Sequence, residues 1–290
     1  MIIAKLQGGL GNQMFQYAAA KALAINKKQE LLLDITSFDI VSENITTRHF
    51  ELNCLNIKTG FATPAQIKKF ENSSLIKKII NKVMPYYKRS IYFEPHFHFD
   101  NNFFKASSNT MLIGYWQSEK YFRSISTIIR NRFEITGALS GTTVEISKKL
   151  TDTNSVSIHV RRGDYVLNFE TQRMHGSCNL DYYTKALEMI TAKTQVTHLY
   201  IFSDDISWTR ENLKLSLPAT FVEHNNGQQA YEDLYLMSRC KHNIIANSSF
   251  SWWGAWLNNN SEKIVVAPKN WFNEFKADTK DLYPSNWIVV

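Results

Sequence analysis

The chain has 290 residues, of which 44% are hydrophobic and 13% aromatic, a composition that predicts a folded globular protein and excludes a disordered one. Because domains usually have about 100 to 200 residues, the length predicts two lobes or one large α/β unit. The formal net charge is +7, and the three cysteines are far apart and odd in number, which excludes a disulfide framework. With no basic leader and no apolar run near the about 20 residues of a membrane-spanning helix, we expect a cytoplasmic protein.

The first 35 residues have the order strand, loop, helix, strand, which begins an α/β fold. The predicted elements are a strand at 2–6, a loop at 7–13, a helix at 14–28 and a strand at 30–35. Gly8, Gly9 and Gly11 suit a tight turn in front of a helix N-terminus, where backbone can approach an anion. A dinucleotide fingerprint would place its third glycine at Met14, and no Gly-Lys pair follows for a P-loop. Spacing alone therefore indicates a structural turn.

Most of the positive charge lies in residues 64–90, where seven Lys and Arg residues stand against one Glu, a net charge of +6. Apolar residues recur there at helical spacing while Lys77, Lys78 and Lys82 fall elsewhere on the helical wheel, which predicts a basic amphipathic helix. Two interpretations stay open. The lysines of a packed helix are solvated, or the helix contacts an anionic membrane surface from the cytoplasmic side. For His96 and His98 we predict loop packing and no metal site, because no further ligand cluster accompanies them.

The second half of the chain alternates short apolar strands with helices, which predicts a parallel sheet covered by helices. The predicted strands are 156–160, 198–203, 220–224, 243–247 and 263–268, and the predicted helices are 180–192, 228–240 and 249–257. Polar sequences follow three of these strands, at 161–165, 204–205 and 247–254, and parallel strands would bring all three to one edge. The polar segment 143–155 indicates the boundary between an amino-terminal lobe at 1–150 and a carboxyl-terminal lobe at 151–290.

Two arginines, Arg161 and Arg162, directly follow a predicted strand. A guanidinium binds phosphate oxygens in pairs and keeps its charge at every relevant pH, so two adjacent ones suit a diphosphate. An ion pair of Arg162 with Asp164 is an alternative that would only staple the loop. The Arg-Gly-Asp adhesion tripeptide conflicts with the expected intracellular location. A nucleic-acid surface is disfavoured because no aromatic residues interleave with the basic ones around this loop.

A second anion site is predicted where the last of these helices begins. Asn247 is placed to cap a helix whose first turn carries Ser248 and Ser249, and hydroxyls with free backbone amides favour an anion there. Asp233, in the preceding helix, has the chemistry to accept hydrogen bonds from a purine amide and amine, although a solvated carboxylate is the default interpretation. Core packing is predicted for the tryptophans that follow, which are Trp252, Trp253 and Trp256.

Five motifs in order along the chain resemble the α-1,2-fucosyltransferase family, glycosyltransferase family 11. They are GGLGNQMFQYA at 8–18, GYWQSEKYF at 114–122, HVRRGDY at 159–165, FSDD at 202–205 and NSSFSWWGAWL at 247–257. The resemblance implies a GT-B-like α/β fold, with two Rossmann-like lobes and a donor cleft between them. It implies inverting transfer of L-fucose from GDP-β-L-fucose to the 2-hydroxyl of a terminal galactose, with no metal or other cofactor. The implied acceptor is a glycan of a bacterial surface polysaccharide, and no nucleic acid is expected as a partner.

The resemblance assigns donor binding to residues in both lobes. They are Gly9, Gly11, Asn12, Gln13, His159, Arg161, Arg162, Asp204, Asp233, Asn247, Ser248 and Ser249. Among them the two arginines would hold the diphosphate with His159 in support, and Asp233 would read guanine.

Catalysis is predicted to rest on fixed cations, because fucosyl transfer develops negative charge on the departing diphosphate and Arg161 can take the place of a metal there. Inversion usually needs a base on the acceptor hydroxyl. We choose Asp164, with Glu94, Glu119 and Glu170 as alternatives, and a dissociative route in which Asn12 positions the acceptor also stays open. Two other functions remain: a fucosyltransferase of another linkage, and a nucleotide-sugar-binding protein without catalysis.

Overall fold

The computed structural model describes residues 1–39, 48–71, 83–163, 172–174, 176–225 and 227–290, and the chain divides into two compact units. Unit 1 comprises Met1–Glu134 and Ala277–Leu282, and unit 2 comprises Ile135–Lys276 and Tyr283–Val290. Each unit is built on one parallel β-sheet accompanied by helices. The predicted α/β fold class with two Rossmann-like lobes is therefore confirmed.

Unit 1 contains a five-stranded parallel sheet with the strand order β3-β2-β1-β5-β4. The strands are β1 (Ile2–Lys5), β2 (Leu31–Asp34), β3 (Gly60–Phe61), β4 (Ile91–Phe93) and β5 (Thr110–Ile113), and the helices are α1 (Leu10–Lys27), α2 (Pro64–Glu71) and α3 (Ser126–Arg132). The order of the strands reverses between β1 and β5. In open α/β sheets, ligands bind beyond the carboxyl ends of the strands at such a switch point.

Helix α1 begins at Leu10, earlier than the predicted start at Met14. Residues 10–13 therefore form its first turn, and the prediction of a loop at 7–13 is wrong for them. Gly8 makes the turn out of β1 with φ at +76°, a left-handed conformation that glycine adopts without steric cost. Gly9 then serves as the N-cap residue in an extended conformation.

Unit 2 contains a six-stranded parallel sheet with the order β11-β10-β9-β6-β7-β8, which reverses between β6 and β9. Its elements are α4 (Gly141–Thr151), β6 (Ser155–Val160), α5 (Leu180–Thr191), β7 (His198–Ser203), α6 (Ile206–Asn212), β8 (Ala219–Val222), α7 (Ala230–Arg239), β9 (His242–Ile244), α8 (Ser249–Leu257), β10 (Val265–Ala267) and β11 (Ile288–Val289). Every strand and helix predicted for the second half is present, with ends that differ by a few residues. The core packing predicted for Trp252, Trp253 and Trp256 is also confirmed, because all three are buried.

The two units divide at Glu134, ahead of the segment 143–155 that the sequence indicates as the boundary. Most of that segment belongs to α4, whose Ile146 and Leu150 are buried in one apolar cluster with Leu236 of α7. The other positions of α4 are mainly exposed and polar, as on any amphipathic surface helix. High polarity alone made this helix resemble a linker.

The basic segment 64–90 is described only in part. Its first helix, α2, buries Ile67 and Phe70 and exposes Lys68 and Lys69. The predicted amphipathic helix with Lys77, Lys78 and Lys82 lies outside the described residues. None of the described helices combines the length and the apolar composition of a membrane-spanning segment.

Candidate functional site

Three polar loops of unit 2 follow the neighbouring strands β9, β6 and β7, which run parallel. Because parallel strands end at the same edge of a sheet, the loops at 245–249, at 161–163 and at 204–205 share one edge, and the switch point lies between the first two. The sheet therefore gathers the polar sequences that the strand pattern predicts to converge. This edge of unit 2 is called the arginine edge below.

Arg161 and Asp204 form an ion pair at the arginine edge. The Arg161 Nη1 atom lies 2.9 Å from Asp204 Oδ2, and both side chains are about three-quarters covered. The other carboxylate oxygen of Asp204 accepts a hydrogen bond of 2.8 Å from the backbone N–H of Arg162. Asp204 was assigned to the donor by resemblance, and in this structure its carboxylate orients the arginine loop.

Arg162 contacts the segment that follows β7, including the start of α6. Its guanidinium lies 3.8 Å from the centroid of the Trp208 ring, an arrangement in which the ring face attracts the cation. Its Nε lies 3.3 Å from Asp205 Oδ2. Asp164, which the sequence offers as a partner for Arg162, lies outside the described residues. Trp208 was missed by sequence reasoning because nothing in the motif marks an aromatic residue in α6 as a support for arginine.

His159, the last residue but one of strand β6, is buried, with 5% of its surface exposed. Burial lowers the pKa of His159 to about 4, with the charge of Arg161 adding to the effect and that of Asp204 opposing it. The imidazole is therefore neutral at physiological pH. Within the described residues its Nδ1 atom makes no hydrogen bond, which leaves that nitrogen uncommitted.

Asn247 does not cap helix α8, contrary to the prediction. The N-cap residue is Ser248, while the Asn247 Nδ2 atom donates to the carbonyl oxygens of Gly176 at 3.0 Å and of Trp271 at 3.3 Å. Asn247 is 3% exposed and fixes three loop segments against one another. Ser248 and Ser249 remain at the N-terminus of α8, where backbone N–H groups favour anions.

Asp233 lies in the first turn of α7, in the segment that follows β8. Its Oδ1 accepts a 2.7 Å hydrogen bond from Asn225 Nδ2. Burial raises the pKa of Asp233 to about 7, and the neighbouring Glu232 adds to that rise. Glu232 has a different task, since it is 1% exposed and accepts hydrogen bonds from the backbone N–H and hydroxyl of Ser140. Of these two carboxylates, Asp233 is therefore the one that can accept further hydrogen bonds from a ligand.

In unit 1, Gln13 is committed to the backbone. The side chain is fully buried, its Nε2 donates to the carbonyl oxygens of Gly8 at 2.9 Å and His49 at 2.7 Å, and its Oε1 accepts from the N–H of Glu51 at 2.9 Å. Since each polar atom is occupied, the structure does not support the donor contact assigned to Gln13. Gly11, also assigned to the donor, is buried within the first turn of α1.

Asn12 and Gly9 are the members of the same motif that remain accessible. Asn12 is half-buried, and its Oδ1 accepts a 2.8 Å hydrogen bond from Gln117 Nε2. A Cβ atom at Gly9 would lie 3.6 Å from Arg48 Nη1, so the guanidinium of Arg48 lies beside this backbone turn. Arg48 was not singled out by the sequence analysis, because it is distant from the glycine motif along the chain.

Two of the four carboxylates considered as a base, Glu94 and Glu119, lie in the described part of the chain, and Asp164 and Glu170 do not. Glu94 accepts hydrogen bonds from the backbone N–H groups of Tyr115 at 2.6 Å and Trp116 at 2.9 Å. Burial nevertheless raises its pKa to about 7. Because both oxygens already accept hydrogen bonds, Glu94 serves first to hold the turn after β5.

The two histidines of the aromatic stretch stack on each other. The rings of His96 and His98 have centroids 3.6 Å apart, and His98 Nδ1 lies 3.4 Å from Asp278 Oδ2. Among the described residues, no three His, Cys, Asp or Glu side chains are arranged to hold a metal ion.

Comparison with known proteins agrees with these motifs. The sequence model of Glycosyl transferase family 11 matches residues 1–290. The O-antigen biosynthesis glycosyltransferase WbnK of Escherichia coli is 38% identical over 286 residues, which cover 92% of this chain and 93% of the relative. An alpha-1,2-colitosyltransferase of Escherichia coli is 35% identical over 296 residues, covering 100% of this chain and 99% of the relative.

More distant matches have fucosyltransferase names. The galactoside alpha-(1,2)-fucosyltransferase 1 of Lagothrix lagotricha is 33% identical over 105 residues, which cover 35% of this chain and 28% of that protein. The crystal structure of fucosyltransferase NodZ from Bradyrhizobium matches with a TM-score of 0.50 and 15% identity, covering 87% of this chain and 91% of that one, and supports the fold. On the match of the family model to the whole sequence, the chain belongs to glycosyl transferase family 11.

Proposed function

We propose that the protein transfers L-fucose from GDP-β-L-fucose to the 2-hydroxyl of a terminal galactose, with inversion and without a metal ion. The observation that carries the proposal is the arginine edge, where Arg161 and Arg162 are each oriented by a carboxylate at the end of a parallel strand. Oriented guanidinium groups stabilise the negative charge that develops on a departing diphosphate. The relatives named for α-1,2 transfer of a deoxy sugar support the linkage.

In this reaction the oxygen of the galactose 2-hydroxyl forms a bond to C1 of fucose while the bond from C1 to the diphosphate oxygen breaks. GDP leaves with the bonding electrons, and the hydroxyl proton passes to a base. Arg161 and Arg162 bind the diphosphate, Ser248 and Ser249 add hydroxyl and backbone donors, and Asp233 accepts hydrogen bonds from the guanine. Asp164 remains the proposed base. A weakly assisted route, in which Asn12 positions the acceptor, is the alternative.

A second candidate is transfer of colitose, which is L-fucose without its 3-hydroxyl. The observation that favours it is the identity of 35% to an alpha-1,2-colitosyltransferase across the whole chain. The two donors differ by one hydroxyl group, so their diphosphate and guanine would occupy the same residues. A site that pairs the 3-hydroxyl with a hydrogen-bonding group discriminates strongly between them, and a site without such a group does not.

Titration calorimetry in excess EDTA tests the donor without any assumption about the acceptor. We expect GDP-fucose or GDP-colitose to bind more tightly than GDP-mannose. Arg161→Ala should abolish transfer, with a loss of about a hundredfold or more, and leave the folded structure intact. A folded Arg161→Ala variant with near-normal turnover would contradict the proposal. Binding of GDP-sugar with no transfer to any galactoside would favour a nucleotide-sugar-binding protein instead.

The proposed acceptor is a galactose-terminated glycan of a bacterial surface polysaccharide, supported by the O-antigen name of the WbnK relative. Contact of the basic residues of 64–90 with an anionic membrane surface is part of the same proposal, supported by the net charge of +6 in that segment. Methylation linkage analysis of the product distinguishes 2-linked from otherwise linked galactose.

A further inference from the structure

The carboxamide of Asn12 is held in one orientation by two neighbours in unit 1. On one side Gly8 makes room for it, since a Cβ atom at Gly8 would lie 2.6 Å from Asn12 Nδ2. On the other side Gln117 Nε2 donates a hydrogen bond of 2.8 Å to Asn12 Oδ1. The amide oxygen therefore accepts from Gln117, and the amide nitrogen on the other side is the donor that Asn12 can offer to a ligand.

The Asn12 nitrogen stands at the switch point of the unit 1 sheet. Asn12 lies in the first turn of α1, which follows β1, and Gln117 lies in the loop that follows the neighbouring strand β5. Among the described residues, Asn12 Nδ2 donates no hydrogen bond. A half-buried amide with unused N–H groups is a donor for an oxygen atom of a substrate.

Gln117 is itself fixed by the turn that precedes it. Trp116 is 1% exposed and has φ at +56°, and its ring packs edge-on against Tyr92 and Tyr121. Glu94 accepts the backbone N–H groups of Tyr115 and Trp116. The turn needs glycine at its start, because a Cβ at Gly114 would lie 2.3 Å from Glu94 Cβ. The position of Gln117 is therefore set by the packing of the Trp116 ring and by the backbone hydrogen bonds to the Glu94 carboxylate.

Stability alone does not account for a glutamine at this position. Gln117 is 7% exposed, and within the described residues its buried Oε1 atom has no hydrogen-bond partner. A buried acceptor without a partner destabilises the folded state, and an apolar side chain of the same length avoids that cost. The hydrogen bond from Nε2 to Asn12 is what a glutamine supplies here and methionine would not.

We propose that Gln117 is a positioning residue that turns the Asn12 carboxamide so that its N–H groups donate to an oxygen of the bound sugar substrates. The inference rests on the proposed function, because it concerns the orientation of a group in that reaction. Gln117 itself touches no substrate in this account. Its effect on the reaction is transmitted through one hydrogen bond.

Two substitutions of Gln117 test the proposal with opposite chemistry. Gln117→Met keeps the length of the side chain and removes the donor. Gln117→Glu supplies a carboxylate that, when ionised, accepts from Asn12 Nδ2 and reverses the amide. When protonated, the introduced carboxyl group donates to Asn12 Oδ1 and restores the original orientation. Gln195→Glu is the matched control, since Gln195 is exposed in the loop that precedes β7, at the end of that strand opposite to the arginine edge.

The assay follows GDP release from GDP-fucose or GDP-colitose with a galactoside acceptor, between about pH 5.5 and 8.5, together with thermal unfolding. We expect Gln117→Met to unfold at or above the wild-type temperature while kcat falls at least about tenfold, and KM for the donor to change much less. Because the wild type is itself expected to bind the donor more weakly at low pH, the activity of Gln117→Glu is divided by that of the wild type at each pH. We expect this ratio to be lowest at high pH and to rise as the pH falls. Gln195→Glu should match the wild type.

Three results would overturn the inference. In an active enzyme, a Gln117→Met variant with wild-type kcat would show that the hydrogen bond to Asn12 is dispensable. A Gln117→Glu variant with the wild-type pH profile would show that the direction of the Asn12 amide does not matter. A wild-type protein that uses neither donor would refute the proposed function and this inference with it, which separates that failure from the first two.

Discussion

The affinity for GDP-fucose should rise with pH through neutrality, because Asp233 must be ionised to accept hydrogen bonds from guanine. Burial raises the pKa of Asp233 to about 7, so the ionised fraction is about one-tenth at pH 6 and about nine-tenths at pH 8. Since apparent affinity scales with the fraction of protein in the competent state, the dissociation constant should fall about tenfold over this range, or about 1.4 kcal/mol. Below the pKa of Asp233, each further unit by which the pH falls should weaken the binding of GDP-fucose by up to about tenfold.

Titration calorimetry with GDP-fucose measures this directly, because the diphosphate of a nucleotide sugar has no group that titrates between about pH 6 and 8. The wild type is compared with Asp233→Asn, in which the affinity should be lower and independent of pH. Asp181→Asn serves as the matched control, since Asp181 is exposed on α5 of the same unit. An affinity that stays constant in the wild type, or an equal slope in Asp233→Asn, would refute the assignment of Asp233 to guanine.

Four further predictions follow from named contacts. Gln13→Glu removes the amide group that donates to the carbonyl oxygens of Gly8 and His49 and should lower the free energy of unfolding in urea by about 2 to 4 kcal/mol, whereas an unchanged midpoint would contradict the role given to Gln13. Trp253→Ala, at a fully buried position, should cost about 3 to 5 kcal/mol, and a loss below about 1 kcal/mol would contradict the packing. Burial raises the pKa of Glu94 to about 7. The contribution of Glu94 to stability is therefore present below the ordinary carboxyl pKa and is lost as the pH rises through about 7. Glu94→Gln should flatten this part of the plot of unfolding free energy against pH, and a plot identical to that of the wild type would contradict the prediction. The protein should sediment with anionic liposomes at low salt and be released at high salt if residues 64–90 contact a membrane, and no sedimentation at low salt would leave their lysines solvated.

Much of unit 2 could be predicted because parallel strands are buried on both faces and read as short apolar runs. The strands β6, β7 and β9 and the helix α8 follow from that pattern, and their parallel order alone brings the arginine loop and the Asp204–Asp205 turn to one edge. Sequence order and strand direction are sufficient for this level of detail.

Predictions failed where local composition gave an ambiguous signal. The glycine-rich start of α1 looked like a loop because glycine is a poor helix former, yet Gly9 ends the turn and the helix already includes residues 11–13. Helix α4 looked like a linker because its apolar residues are few. In both cases tertiary packing overrides the local preference.

The roles of individual amide side chains could not be predicted, because their partners are distant in sequence. Asn247 binds the carbonyl groups of Gly176 and Trp271, and Gln13 binds that of His49. A motif shows that an amide is present but not which way it faces. The same limit applies to Gln117, whose contact with Asn12 becomes visible only in the folded chain.

The structure of the reaction product decides whether the protein is an α-1,2 glycosyltransferase. The protein is incubated in excess EDTA with GDP-fucose or GDP-colitose and a terminal β-galactoside, and the linkage and anomeric configuration of the product are determined by methylation analysis and NMR. We expect an α-linked sugar on the 2-hydroxyl of galactose, formed without added metal and absent with Arg161→Ala. A product with another linkage, or transfer that stops when metal is removed, would contradict it.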